Sequence, residues 1–102
     1  MSSTNTPIAL ITGGSRGLGK SMALTLAARG TDVVLTYRSN QAEAQAVVEA
    51  ITQQGRRAVA LPLDVGKSGT FAAFAEQLRA ALRQHWQRDR FEYLVNNAGT
   101  GV

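Results

Sequence analysis

The chain has 102 residues, 44% hydrophobic and 18% charged, enough for one small globular domain and too apolar for a disordered one. It has no cysteine, which excludes disulfide frameworks and cysteine zinc sites. The net charge of +4 comes from scattered basic residues. It implies a solvated surface with a few anion contacts rather than a nucleic-acid interface.

Residues 1–6 are polar, without a signal-peptide core, and are expected to form a disordered tail. Residues 7–102 are then expected to form a single domain. No apolar run approaches the roughly 18 residues that span a bilayer, so no membrane role and a cytoplasmic location are expected.

Ile8–Thr12 is a short continuous apolar run, the pattern of a strand buried on both faces. A glycine-rich turn follows. Leu18, Met22, Ala23, Leu26 and Ala27 then recur at helical spacing, and Gly30 is placed to end that helix. Val33–Tyr37 reads as a second strand. Asn40 with Glu43 three residues later resembles a capping box, opening a helix whose buried face is expected at Ala46, Val47, Ala50 and Ile51 and whose end is at Gly55. Ala58–Leu63 is a third strand, with Pro62 near its end where no ladder N–H is needed. Phe71, Phe74, Leu78, Ala81, Leu82 and His85 form a third helical stripe. Tyr93, Leu94 and Val95 form a fourth strand, expected to be buried, which runs into Asn96-Asn97-Ala98-Gly99.

The element order is therefore β-α-β-α-β-α-β. Alternating strands and helices imply right-handed crossovers and a parallel sheet covered on both faces. In such sheets ligands bind at the carboxyl ends of the strands, where strand order reverses. Four distinctive segments converge there: the glycine turn, Tyr37-Arg38-Ser39, Asp64-Val65, and Asn96 to Gly99.

The turn fits two phosphate-binding motifs. Gly14 to Ser21 matches G-x-x-x-x-G-K-[ST], in which Lys20 would reach phosphates and Ser21 a magnesium ion, with Asp64 after an apolar strand. The same residues read Thr12-Gly13-x-x-x-Gly17-x-Gly19, which resembles the T-G-x-x-x-G-x-G cofactor loop of the short-chain dehydrogenase/reductase family. Outside the loop, Asn96-Asn97-Ala98-Gly99 is similar to that family's second signature, and Asp64-Val65 resembles its adenine-contacting pair. The resemblance runs from about Pro7 onward.

The resemblance implies a Rossmann-like, doubly wound parallel sheet, here a four-strand half of order 3-2-1-4 with three helices. It implies that Gly13, Gly14, Ser15, Arg16, Gly17, Leu18 and Gly19 line the pyrophosphate and nearby ribose. Asp64 would accept from the adenine amino group, with Val65 beside the ring, and Asn97, Ala98 and Gly99 would pass the nicotinamide side. Asn96 reads equally as a cofactor contact or as a structural tie from strand four to its neighbour, and the Thr12 hydroxyl is expected to hold the turn.

A dinucleotide fold usually carries an acid at the end of the second strand, about 20 residues past the loop, for the ribose 2′-OH. Here Arg38 stands in that region and Asp32 lies at the other end of the strand. Arg38, with Arg16 opposite, suits a 2′-phosphate, so NADP(H) is the expected cofactor. No metal site is expected. His85, Trp86, Phe71 and Phe74 are expected to pack rather than bind.

Family reductases also need a serine, a tyrosine followed four residues later by lysine, and a further asparagine, all beyond the Asn-Asn-Ala-Gly segment. Here Tyr37 is followed at that spacing by Gln41 and Tyr93 by Asn97, so no catalytic residue is assigned. Residues 1–102 are expected to be the cofactor-binding fragment of an NADP(H)-dependent oxidoreductase of a small carbonyl or alcohol. The intact protein is expected to be a homo-oligomer. The alternatives are a non-catalytic nucleotide-binding or interaction module and a P-loop ATP- or GTP-binding fragment.

Overall fold

The computed structural model describes residues 6–13, 17–38, 40–63 and 71–96. Its elements are β1 (Ile8–Thr12), α1 (Gly17–Ala28), β2 (Asp32–Tyr37), α2 (Gln41–Gln53), β3 (Ala58–Pro62), α3 (Phe71–Trp86) and β4 (Tyr93–Asn96). All strand pairs are parallel and the sheet order is β3-β2-β1-β4, as expected.

The apolar run of β1 follows from its central place. All five of its residues are buried. Its side chains alternate between two cores, as the pleat requires. Ile11 joins Val33, Leu35, Ala23, Val47 and Ile51 on the face covered by α1 and α2. Ile8 and Leu10 join Val34, Leu82 and Trp86 on the face covered by α3.

Glycines stop the first two helices. Gly30 (φ +95°) and Gly55 (φ +87°) adopt the left-handed conformation, which costs a side-chain-bearing residue roughly 1–2 kcal/mol. The Thr31 N–H returns to the Leu26 carbonyl at 3.0 Å, satisfying a carbonyl of the last α1 turn.

Several packing expectations are corrected. α1 meets the sheet through Gly19, Ala23 and Ala27, spaced by one turn, so small residues admit close approach while Leu18 is 68% exposed. α2 buries Ala44, Val47 and Ile51, and Ala46 faces solvent. Asn40 Oδ1 accepts from the Glu43 N–H at 3.1 Å. The reciprocal half of the capping box is missing, because Glu43 Oε1 has no hydrogen-bond partner among the described residues. Tyr93 and Leu94 are 53% and 60% exposed rather than buried. Among the described strands β4 lies at an edge, and α3 packs over β1, β2 and β3 through Leu82 and Trp86 against Ile8, Leu10, Val34, Val59 and Leu61. Pro62 closes the opposite edge strand, β3.

The amino edge of the sheet is fastened by charged side chains. Asp32, 6% exposed, accepts from Trp86 Nε1 at 2.7 Å and from the Arg57 N–H at 3.0 Å. The Arg56 guanidinium donates to the Gly30 carbonyl at 3.2 Å and lies 4.0 Å from Asp32. Ile8 and Glu92 exchange two hydrogen bonds, N–H to Oε1 at 2.8 Å and N–H to carbonyl at 2.9 Å. Thr6, expected in the tail, is held by Arg88, which donates to its carbonyl at 2.7 Å.

Candidate functional site

The chain runs from β1 outward through β2 to β3 and then returns to the far side of β1 as β4. Strand order reverses between β1 and β4, the place where open parallel sheets bind ligands at the carboxyl ends of their strands, and Thr12 lies there in register with Asn96. Gly13 leaves β1 there with φ +69°. Its N–H donates to Thr36 Oγ1 at 2.9 Å. Thr12 Oγ1 donates to the Val95 carbonyl at 3.4 Å. The turn is thus tied to β2 on one side and to β4 on the other, which gives Thr12 the structural role expected of it.

α1 begins at Gly17, whose φ is +63° and whose missing Cβ would meet nothing within 4 Å. The first turn of α1 holds no acidic residue. The first N–H groups of a helix lack internal partners and carry the positive end of its dipole, so this terminus favours an anion. Leu18 and Lys20 are exposed in the same turn, and Gly19 is buried. Lys20 and Ser21 are therefore residues of the helix itself, and both are exposed.

Arg38 follows β2 directly and is exposed. The acid of this strand, Asp32, is consumed at the opposite edge by Trp86 and Arg57. On β2 itself, the residue that reaches the carboxyl edge is followed by Arg38, and the strand's own carboxylate lies at the other end. A hollow at the amino edge, lined by Asp32, Arg56, Arg57 and Trp86 among others, lies at the wrong end of the strands for this site. Among the described residues no group of three or more His, Asp or Glu could hold a metal. None of their helices is long and apolar enough to cross a membrane.

Of the residues singled out in the sequence, Gly13, Gly17, Leu18, Gly19 and Arg38 are described and lie at this carboxyl edge. Gly14, Ser15, Arg16, Asp64, Val65, Asn97, Ala98 and Gly99 lie outside the described residues. Sequence reasoning overlooked two groups. Thr36 received no role of its own, although a hydroxyl near the carboxyl end of a buried strand must find a partner. Asp32 was noted only for being at the wrong end, although a carboxylate opening a buried strand must be paired.

The residues present fit a dinucleotide. Gly13 and Gly17 use left-handed backbone, the first turn of α1 holds no acid and a side chain at Gly17 would meet nothing, and a guanidinium follows β2. An open parallel sheet with this site at its switch point defines the dinucleotide-binding class of α/β proteins.

Within that class, the sequence profile described as short chain dehydrogenase matches residues 7–102. The chain belongs to the short-chain dehydrogenase family. It is 41% identical over 95 residues to a hydroxynaphthalene reductase-like protein, Arp2, of Metarhizium robertsii, covering 93% of this chain and 33% of that protein. Its fold superposes on acetoin dehydrogenase from Enterobacter cloacae with a TM-score of 0.81 at 36% identity, covering 95% of this chain and 37% of that one. It superposes on the angucycline C-6 ketoreductase LanV, solved with bound NADP, with a TM-score of 0.88 at 33% identity, covering 98% of this chain and 39% of that one. The chain therefore spans between a third and two fifths of the length of these proteins.

Proposed function

We propose that this chain supplies the cofactor-binding portion of an NADP(H)-dependent oxidoreductase acting on a small carbonyl or alcohol. The observation that carries the choice of cofactor is the charge at the end of β2. Arg38 stands there, and Asp32 is buried at the other end of the strand in a bond to Trp86. A carboxylate at that position would accept from a ribose 2′-OH and repel a 2′-phosphate. A guanidinium presents a planar donor fork to the phosphate. The LanV neighbour, solved with NADP, supports the same reading.

On this reading the first N–H groups of α1 face the pyrophosphate, and Gly17 keeps the approach clear of a side chain. Arg16 joins Arg38 at the 2′-phosphate. Asp64 and Val65 hold the adenine end, and Asn97, Ala98 and Gly99 pass the nicotinamide. Gly14, Ser15, Leu18 and Gly19 complete the lining. Gly13 contributes through its conformation, since its N–H donates to Thr36. When bound, the dinucleotide supplies or takes up the hydride. On this reading neither tyrosine is assigned the accompanying proton. Tyr37 packs against the core beneath α1 and α2, and Tyr93 opens β4 at the amino edge.

Calorimetric titration of the full-length gene product with NADPH and NADH tests the assignment. Wild type should prefer NADPH. Arg38→Asp removes charge-assisted hydrogen bonds and adds repulsion, so NADPH should bind about 10- to 100-fold more weakly while NADH changes little. An unchanged NADPH-to-NADH ratio refutes the cofactor assignment. Tight magnesium-dependent ATP binding would favour the P-loop reading instead.

A further inference from the structure

We infer that Thr36 is a positioning residue for the dinucleotide site, setting the glycine turn through the Gly13 N–H. This deepens the cofactor reading above and rests on it. Thr36 is 1% exposed, inside a strand whose other residues before Tyr37 are buried. Its Oγ1 accepts from the Gly13 N–H at 2.9 Å, across 23 residues of sequence. Gly13 is the first residue after β1 and has φ +69°, and its N–H reaches across to the Thr36 hydroxyl of β2. A partly buried N–H in that attitude needs an acceptor, and the threonine hydroxyl supplies one. Thr36 also lies two residues before Arg38. One side chain thereby fixes the start of the pyrophosphate turn relative to the strand end that carries the 2′-phosphate contact.

Pure scaffolding would predict a loss of global stability and an undisturbed site. The geometry points elsewhere, because the bond is made to the turn and not to a neighbouring ladder. Without the acceptor, the Gly13 N–H loses its bond to β2, and the binding-ready turn is populated less. Apparent affinity then falls by the same fraction for every ligand of that turn.

The test compares Thr36→Val, which keeps shape and removes the acceptor, with Thr36→Ser, which keeps the acceptor. Titrations use the full-length gene product at a temperature where every variant is folded by circular dichroism. Thr36→Val should weaken NADPH and NADH together by about tenfold, leaving their ratio unchanged. Thr36→Ser should lie within about twofold of wild type. Gly13 amide exchange should be slow in wild type and Thr36→Ser and fast in Thr36→Val. If Thr36→Val does not fold, Thr36→Ala takes its place beside Thr36→Ser, with the same expectation.

Dissociation constants for Thr36→Val within twofold of wild type overturn the inference. So does fast Gly13 exchange in the wild-type protein, or a Thr36→Ser variant as weak as Thr36→Val. A wild-type protein that binds neither dinucleotide overturns the cofactor reading itself, and a shifted NADPH-to-NADH ratio in Thr36→Val would assign the effect to Arg38 instead.

Discussion

Replacing Trp86 by phenylalanine isolates the hydrogen bond that closes the amino edge of the sheet. Trp86 and Asp32 are 4% and 6% exposed, and the indole Nε1 donates to Asp32 Oδ2 at 2.7 Å. Phenylalanine keeps an aromatic ring against Ile8, Leu10, Val34 and Leu82. It removes the donor and leaves a buried carboxylate oxygen without it. A hydrogen bond to a charged group contributes roughly 1.5–3 kcal/mol, and the smaller ring forfeits about 1 kcal/mol of packing. The expected loss is about 2.5–4 kcal/mol. Arg56 offsets little of this, since it lies 4.0 Å away with its side chain 34% exposed.

The assay is urea unfolding followed by far-ultraviolet circular dichroism, because the variant loses the chain's one tryptophan. Asp32→Asn and the double variant complete a cycle. Both carboxylate oxygens face N–H donors, so an asparagine must turn its own NH₂ toward one of them. The coupling between the two positions should be about 1.5–3 kcal/mol. A coupling below about 0.5 kcal/mol would refute the assignment of this bond as the fastener. Dinucleotide affinity should not move in the folded Trp86→Phe protein, since the bond lies at the opposite end of the strands from the proposed site.

Two further outcomes are expected. Asn40→Ala should cost about 1 kcal/mol in the same unfolding assay, because the cap on the Glu43 N–H is lost and the missing reciprocal bond offers no reserve. Gly17→Ala meets no neighbouring atom, so its cost is the left-handed backbone at φ +63°, roughly 1–2 kcal/mol. It should also weaken NADPH binding in calorimetry, and Gly17→Asn should be milder on both counts because asparagine tolerates that conformation.

Strand identity and order were legible because they depend on local signals. The apolar run of β1, the stops at Gly30 and Gly55 and the cap at Asn40 each state their meaning within a few residues. The choice of helix face was less legible. Periodicity alone could not show that α1 would meet the sheet through Gly19, Ala23 and Ala27 and turn Leu18 outward. Close approach favours small residues, and a scale that ranks leucine highest points the other way. For β4, hydrophobicity implied burial of Tyr93 and Leu94, but burial depends on what covers the strand, and α3 packs over β1, β2 and β3. At the site, the glycine turn and Arg38 were read from motif and position. Thr36 was missed because its partner is distant in sequence and close only once β1 and β2 pair.

The central place of β1 sets an order of events during synthesis. Its first residue, Ile8, pairs with Asp32 on one side, while its partner on the other side, Glu92, is 84 residues on. Closing the second loop spans nearly two more doublings of chain length, an added entropic cost of about 1 kcal/mol. A chain leaving the ribosome can therefore assemble β1, β2 and β3 beneath α1 and α2 long before β4 exists. Through that interval the most apolar strand of the protein is an unpaired edge, open to any extended segment that reaches it. β4 is the strand that retires that edge. Substitutions that slow its arrival at Tyr93–Asn96 should raise aggregation during expression more than they lower the stability of the finished fold.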